Sequence, residues 1–271
     1  MPSAPEPIGR HHPLLTAFRR AFREGPAAGG LLAVEGATLI GEALRSGYAL
    51  DAVLFSNAGW TQWGAKLQPQ LSRHVRSTLA GDTAFAAAMD SDHPPGVAAL
   101  VRFTPATLEA AFQPRPAAPP LLAAACGLQD PGNLGTLIRA ADAFGAAGVV
   151  TLEDTVSPFN PKSVRASAGS IFHLPVAARV PAAELIAACR AHGLALVAAE
   201  ARADAAAPAA DTLAGPVCLL LGQEAGGLDR ALRRASDAIV AIPMRPGVDS
   251  LNAAIAGAIL LYEAARQRAA C

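Results

Sequence analysis

Between residues 121 and 268 short apolar runs alternate with segments of helical spacing, and three of those runs end in polar stretches carrying glycine or proline. The three are Asp130-Pro-Gly-Asn-Leu-Gly-Thr-Leu-Ile-Arg139, Leu221-Gly-Gln-Glu-Ala-Gly-Gly-Leu228 and Ile242-Pro-Met-Arg-Pro-Gly-Val-Asp-Ser-Leu-Asn252. Alternation of this kind specifies an α/β sheet, and such a sheet binds ligands in the crevice beyond the carboxyl ends of its strands. The spacing predicts strands at 121–125, 148–152, 194–199, 217–221 and 238–242, with helices near 134–145, 181–192, 228–236 and 250–268. Residues 31–103 repeat the pattern more loosely: strands are expected at 31–34, 52–55, 74–78 and 96–101, a helix at 36–46, and a mostly parallel sheet.

A stretch midway divides the chain. Gln113-Pro-Arg-Pro-Ala-Ala-Pro-Pro120 has four prolines and no apolar periodicity, so it reads as a semi-rigid linker between an N-terminal domain, 1–112, and a C-terminal domain, 121–271. No apolar run approaches the roughly 18 residues of a membrane span, and the first residues lack the apolar core of a signal peptide. A soluble, cytoplasmic protein is expected. Cys126, Cys189, Cys218 and Cys271 form no CxxC pair, which argues against a zinc site and a disulfide framework. The 22 basic residues balance 22 acidic ones, but Arg10, His11, His12, Arg19, Arg20 and Arg23 cluster against only Glu6 and Glu24. A basic helix beginning near Pro13 offers either a phosphate-facing patch or an ordinary solvated face.

The glycines do not follow the familiar nucleotide fingerprints. Neither Gly132-Asn-Leu-Gly135 nor Gly222-Gln-Glu-Ala-Gly-Gly227 has the G-x-G-x-x-G spacing, and G-x-x-x-x-G-K-[ST] is absent, so a nucleotide-dependent oxidoreductase or ATPase loses its sequence support. They suit instead a close approach of backbone to a ligand. Asn133 stands where it caps a helix or faces a site, and Arg139, among Leu137, Ile138, Ala140 and Ala141, calls for an anionic partner. Lys162 and Arg165 contact a phosphate backbone or pair with Glu153 and Asp154. Glu224 fixes its loop or faces the reaction centre, and Ser250 and Asn252 cap the last helix or present polar groups to the site.

Together the three stretches resemble the signature motifs of the SpoU/TrmH family of RNA ribose 2′-O-methyltransferases, within the SPOUT superfamily. The resemblance covers 121–265 closely and 31–103 more loosely, where Val34-Glu-Gly-Ala-Thr-Leu-Ile-Gly-Glu-Ala-Leu44 resembles the opening of a substrate-binding domain, so that Glu35 and Glu42 either serve RNA-related structure or are ordinary cap and surface residues. It implies a C-terminal SPOUT domain with a deep trefoil knot and a mostly parallel sheet, preceded by a small α/β RNA-binding domain. It also implies an obligate homodimer and S-adenosylmethionine as cofactor, with no metal. Carried over by motif match, Gly222, Ile242, Pro243, Met244 and Leu251 bind that cofactor and Asn133, Arg139, Glu224, Ser250 and Asn252 serve catalysis; from their local positive charge, Arg19, Arg20, Arg23, Lys162 and Arg165 are the candidates for contacts with ribosomal or transfer RNA. Arginine's pKa above about 12 favours orienting the 2′-hydroxyl and stabilising alkoxide charge over removing a proton. The rival from another class is a catalytically silent RNA- or ribosome-binding module, which loss of Asn133, Arg139, Glu224 or Asn252 would favour; all four are present.

Overall fold

The computed structural model describes residues 4–27, 29–113, 119–200, 207–209, 211–223, 226–245, 248 and 250–269. Two compact units divide the chain: Met1–Thr104 with Phe159–Phe172, and Pro105–Pro158 with His173–Cys271.

The first unit contains β1 (Glu6–Ile8), α1 (Pro13–Glu24), β2 (Leu31–Glu35), α2 (Ala37–Arg45), β3 (Leu50–Ser56), α3 (Asn57–Leu67), β4 (Arg76–Ala80), α4 (Asp82–Ala86) and β5 (Val97–Arg102). Helix α1 starts at Pro13, where a missing N–H costs nothing, behind His12, whose Nδ1 accepts from Leu14 N at 3.2 Å. Its buried residues Leu14, Leu15, Phe18, Ala21 and Phe22 recur at helical spacing, which leaves Arg19, Arg20 and Arg23 on the exposed side. The sheet order is β1-β4-β3-β5-β2. It is mixed rather than mostly parallel: β4 runs parallel to β1 and β3, while β5 is antiparallel to β3 and β2. The reason lies in the connection from β4 to β5, whose only helix, α4, has five residues. A parallel β5 would need the chain to recross the sheet; instead β5 starts at the edge where β4 ends.

The second unit contains α5 (Leu108–Ala111), β6 (Leu121–Cys126), α6 (Pro131–Ala143) and β7 (Gly148–Leu152). After α7 (Pro161–Ala166), which belongs to the first unit, come β8 (Val176–Val180), α8 (Ala182–Ala191), β9 (Ala195–Ala199), β10 (Val217–Gly222), α9 (Arg230–Ala235), β11 (Ala238–Val240) and α10 (Ala253–Ala269). Its six strands, in the order β11-β9-β10-β6-β7-β8, pair in parallel throughout. Both faces are covered, so the central strands read as continuous apolar runs; every residue of β6 is buried. One face packs Leu122, Ala124, Cys218 and Leu220 against Phe112, Leu185, Cys189 and Leu232. The other receives α6 and α10: a Cβ on Gly257 of α10 would lie 2.8 Å from Leu137 Cδ1 and 3.0 Å from Leu221 Cδ1.

The units depart from the expected division at 113–120 in two places. Ala111 and Phe112 are buried in the core of the second unit, so that unit begins before the proline-rich stretch, of which 114–118 lie outside the described residues. Residues 159–172, expected with the C-terminal domain, pack with the first unit through an aromatic group. Phe103 meets Phe159 at 5.5 Å and Phe172 at 6.1 Å between centroids, and Tyr48 stacks on Phe103 at 5.4 Å. Strand β8 was not foreseen: its apolar run is interrupted by Arg179, held at φ 59 beside a break in register with β7.

Candidate active site

In the second unit the order of strands sets the site. Chain connections run from β6 toward β7 and β8 on one side, and from β10 toward β11 on the other. The crevice at such a switch point opens between the carboxyl ends of β6 and β10, whose register pairs Gly222 with Cys126. The first motif leaves β6 and the second leaves β10, so the sheet brings them together.

The loop after β6 is pinned before α6 begins. Gly127, at φ 81, donates its N–H to Thr155 Oγ1 at 3.0 Å, and that hydroxyl donates to Ala125 O at 2.8 Å. Gln129 Nε2 donates to Asp154 O at 2.7 Å. Asp130, not Asn133, is the helix cap: its Oδ1 accepts from Asn133 N at 2.8 Å, with Pro131 in the first turn. The Asn133 side chain is thereby released for another contact. Its Oδ1 accepts from Asn252 Nδ2 at 2.9 Å, joining the first motif to the third across 119 residues of sequence. Asn252 also caps α10, its Oδ1 accepting from Ala254 N at 3.0 Å and Ile255 N at 3.2 Å. Capping and site geometry therefore meet in one side chain, and Ser250, exposed two residues earlier, is not the cap.

Arg139 differs from its expected setting. Its apolar neighbours Leu137, Ile138, Ala140 and Ala141 are buried, but Arg139 itself lies on the exposed side of α6, as does Thr136 one turn before it. Among the described residues it forms no ion pair, so no carboxylate neutralises a charge that is open to an anion from outside.

Backbone crowding alone requires a glycine at 222. A Cβ there would lie 2.5 Å from the carbonyl carbon of Gly227 and 2.8 Å from Leu228 N. Gly227 N donates to Gln223 O at 3.0 Å, so the chain doubles back over the end of β10. Glu224, with Ala225, lies outside the described residues, as do Pro246, Gly247 and Asp249 of the third motif. On one side of this doubled loop is a cavity of about 330 Å³, lined by Gly222, Ile242, Met244, Ser250 and Leu251 together with Leu221, Leu228 and Leu260. Pro243 is exposed and does not line it. On the other side a cavity of about 380 Å³ is lined by Cys126, Glu153, Asp154 and Asp229. Burial pushes the Cys126 thiol up to about 12, so it is no nucleophile.

Two charged residues of the first cavity were missed: Glu200, directly after β9, and Arg233 of α9. They pair at 2.9 Å, Arg233 Nε to Glu200 Oε1, with the Glu200 side chain only 10% exposed. An acid closing the apolar run Leu196-Val-Ala-Ala-Glu200 was the available signal.

The basic residues assigned to RNA lie in the first unit. Arg20 and Arg23 both pair with Glu24 at 2.8 Å, and Arg19 Nε donates to Ala87 O at 3.0 Å. Lys162 is exposed on α7, while Arg165 pairs with Asp90 at 2.9 Å rather than with Glu153 or Asp154. Glu35 is structural: buried, it accepts from Asp90 N at 2.8 Å and Ser91 N at 3.2 Å and takes the Ser91 hydroxyl. Glu42 pairs with Arg45 on its own helix. Among the described residues no group of His, Cys, Asp and Glu is arranged to hold a metal, and no helix is long and apolar enough to cross a membrane.

This parallel α/β unit belongs to a chain whose fold matches that of solved SpoU methyltransferases. The AviRb enzyme of Streptomyces viridochromogenes, in complex with AdoMet, superposes with a TM-score of 0.82 at 29% identity over 96% of this chain and 99% of that one. An uncharacterized tRNA/rRNA methyltransferase of Synechocystis is 33% identical over 259 residues, 95% of this chain and 92% of the relative. The 23S rRNA (guanosine(2553)-2′-O)-methyltransferase RlmP of Bacillus subtilis is 31% identical over 233 residues, 84% of this chain and 86% of the relative. The SpoU rRNA Methylase family model matches residues 120–262, more than half the chain. The chain belongs to the SpoU rRNA methylase family.

Proposed function

We propose that this protein is an S-adenosylmethionine-dependent methyltransferase acting on a ribose 2′-hydroxyl of RNA, ribosomal in the first instance. The observation that carries the reading is the Asn133 to Asn252 hydrogen bond, which ties the Arg139 helix to the motif that lines the cavity. The cavity fits the cofactor. Its volume of about 330 Å³ lies in the range of small-molecule sites, and its walls at Leu221, Ile242, Leu251 and Leu260 suit an adenine. Arg233, the one basic residue among its described lining, is paired with Glu200, so the site suits an adenosine without phosphates. Gly222, Ile242, Met244 and Leu251 would hold it.

When bound, S-adenosylmethionine supplies an electrophilic methyl group on a sulfonium. Arg139 orients the RNA 2′-oxygen and stabilises charge developing on it, an interaction strongest in the transition state. Asn133 and Asn252 hold the elements on which this depends; Ser250 stands two residues before Asn252, and Glu224 belongs to the second motif. Arg19, Arg20, Arg23, Lys162 and Arg165 of the first unit contact the RNA backbone. Arg20, Arg23 and Arg165 must share their charge with carboxylates, so Arg19 and Lys162 carry the most electrostatic weight. In the same reading the strands and loops of the third motif thread as a trefoil knot, two copies associate through the second unit, and the enzyme works in the cytoplasm without a metal. Isothermal titration calorimetry with S-adenosylmethionine tests the cofactor half: binding that is indifferent to EDTA is expected, and no binding, or binding only with a divalent metal, would contradict it.

A further inference from the structure

The cavity that the cofactor reading fills contains one feature the motifs leave unexplained. Of its described lining residues only Glu200 and Arg233 are charged, and the Glu200 side chain is nine-tenths buried. The pair is half-buried, with the Arg233 side chain 42% exposed, and such a pair gains little net stability once screening and desolvation are counted, so stability alone does not account for it. Its placement is fixed by regular structure: Glu200 follows β9 directly, and its N–H donates to Val240 O at 3.0 Å, continuing the pairing of β9 with β11.

We propose, resting on the cofactor reading, that Glu200 is the residue that recognises the ribose hydroxyls of the bound adenosine, with Arg233 holding its carboxylate in place. A carboxylate is an acceptor only, and a ribose diol presents two donors. In parallel α/β sheets a strand-end acid in this relation to a nucleoside is a recurrent solution. The alternative targets of a carboxylate in this ligand are cations, the sulfonium and the amino acid's ammonium. A carboxylate meant for a cation would be weakened by a guanidinium already paired with it, whereas a neutral hydroxyl donor is still accepted. The sheet order agrees. Strand β9 lies beyond β10 from β6, so Glu200 marks the end of the cavity away from the first motif, which leaves the reacting end of the ligand toward Ser250, Leu251 and Asn252.

Calorimetry with S-adenosylhomocysteine and its 2′-deoxy and 3′-deoxy analogues tests this without turnover. For the wild-type protein, at least one deoxy analogue should bind about tenfold more weakly than the parent, the loss expected when a hydrogen bond to a charged acceptor is removed. Glu200→Gln should bind the parent more weakly and discriminate against that analogue by about threefold or less. Equal wild-type affinity for all three ligands overturns the assignment, and so does a folded Glu200→Gln protein that discriminates as the wild type does. The wild-type comparison stands even where the variant fails to fold. If the wild type does not bind S-adenosylhomocysteine at all, the cofactor reading fails first and takes this assignment with it.

Discussion

Arg139 projects from the exposed side of α6 one turn beyond Thr136, on the helix whose first turn carries Asn133. A cation placed there with no internal counter-charge among the described residues does nothing for the core, and its value lies in what comes to it. Arg139→Ala should therefore lower methyl transfer by about two to three orders of magnitude while leaving cofactor affinity within a few-fold. Arg139→Lys should rescue only part, since a point charge does not reproduce the planar fork. Single-turnover transfer and calorimetry on the same preparations separate the two effects, and a defect confined to binding would make Arg139 structural. The sequence singled out Arg139 and Asn133 as candidates through the motif they share, but it misjudged their surroundings. Helical spacing alone does not say which side of α6 is covered, and the cap fell to Asp130 because its carboxylate reaches the first-turn N–H. Glu200 escaped notice for the opposite reason: it ends an ordinary strand, and its significance comes from a cavity built by residues 20 to 60 positions later in the chain.

At the scale of elements, α10 is held by what it lacks. Gly257 sits where α10 crosses α6 and β10, and a larger side chain would meet Leu137 and Leu221. Gly257→Val should cost about 1–3 kcal/mol by overpacking, read as a lower midpoint in urea unfolding; an unchanged midpoint would show that the two leucines yield freely. A second junction ties α8 to the start of β9. Burial raises the Asp237 pKa, but the Leu196 N–H at 2.8 Å and Arg190 at 2.7 Å outweigh it and hold the carboxyl below its ordinary 3.8. A depressed pKa gives stability that is present above the unfolded value and lost as pH falls through the folded one. Wild type should thus lose more stability than Asp237→Asn between pH 5 and about pH 2, and parallel losses in the two proteins would refute the contribution. Strand and helix positions in the second unit were legible because both faces of a parallel sheet are buried, making each strand an apolar run. The mixed sheet of the first unit was not, because strand direction depends on where a connection emerges, which periodicity does not record.

For the whole molecule, the division into units depended on contacts far apart in sequence. The meeting of Tyr48, Phe103, Phe159 and Phe172 leaves no local pattern, so a proline-rich stretch appeared to be the boundary. Association is the other property of this scale. Ile255, Ile259 and Tyr262 of α10 are 52%, 40% and 56% exposed and recur on one side of the helix, an apolar strip suited to a second copy. Sedimentation velocity at micromolar concentration should give a dimer for the wild type and a monomer for Ile255→Glu with Tyr262→Glu; a wild-type monomer with full activity would rule the dimer out. The central claim is methyl transfer to a ribose hydroxyl. Its most direct test incubates the protein with radiolabelled S-adenosylmethionine and ribosomal RNA from cells lacking the gene, followed by alkaline hydrolysis. The label should appear in an alkali-resistant dinucleotide, since a methylated 2′-oxygen cannot attack the adjacent phosphate. Label recovered only in mononucleotides, as from a methylated base, or no label from a folded protein that binds the cofactor, would contradict it.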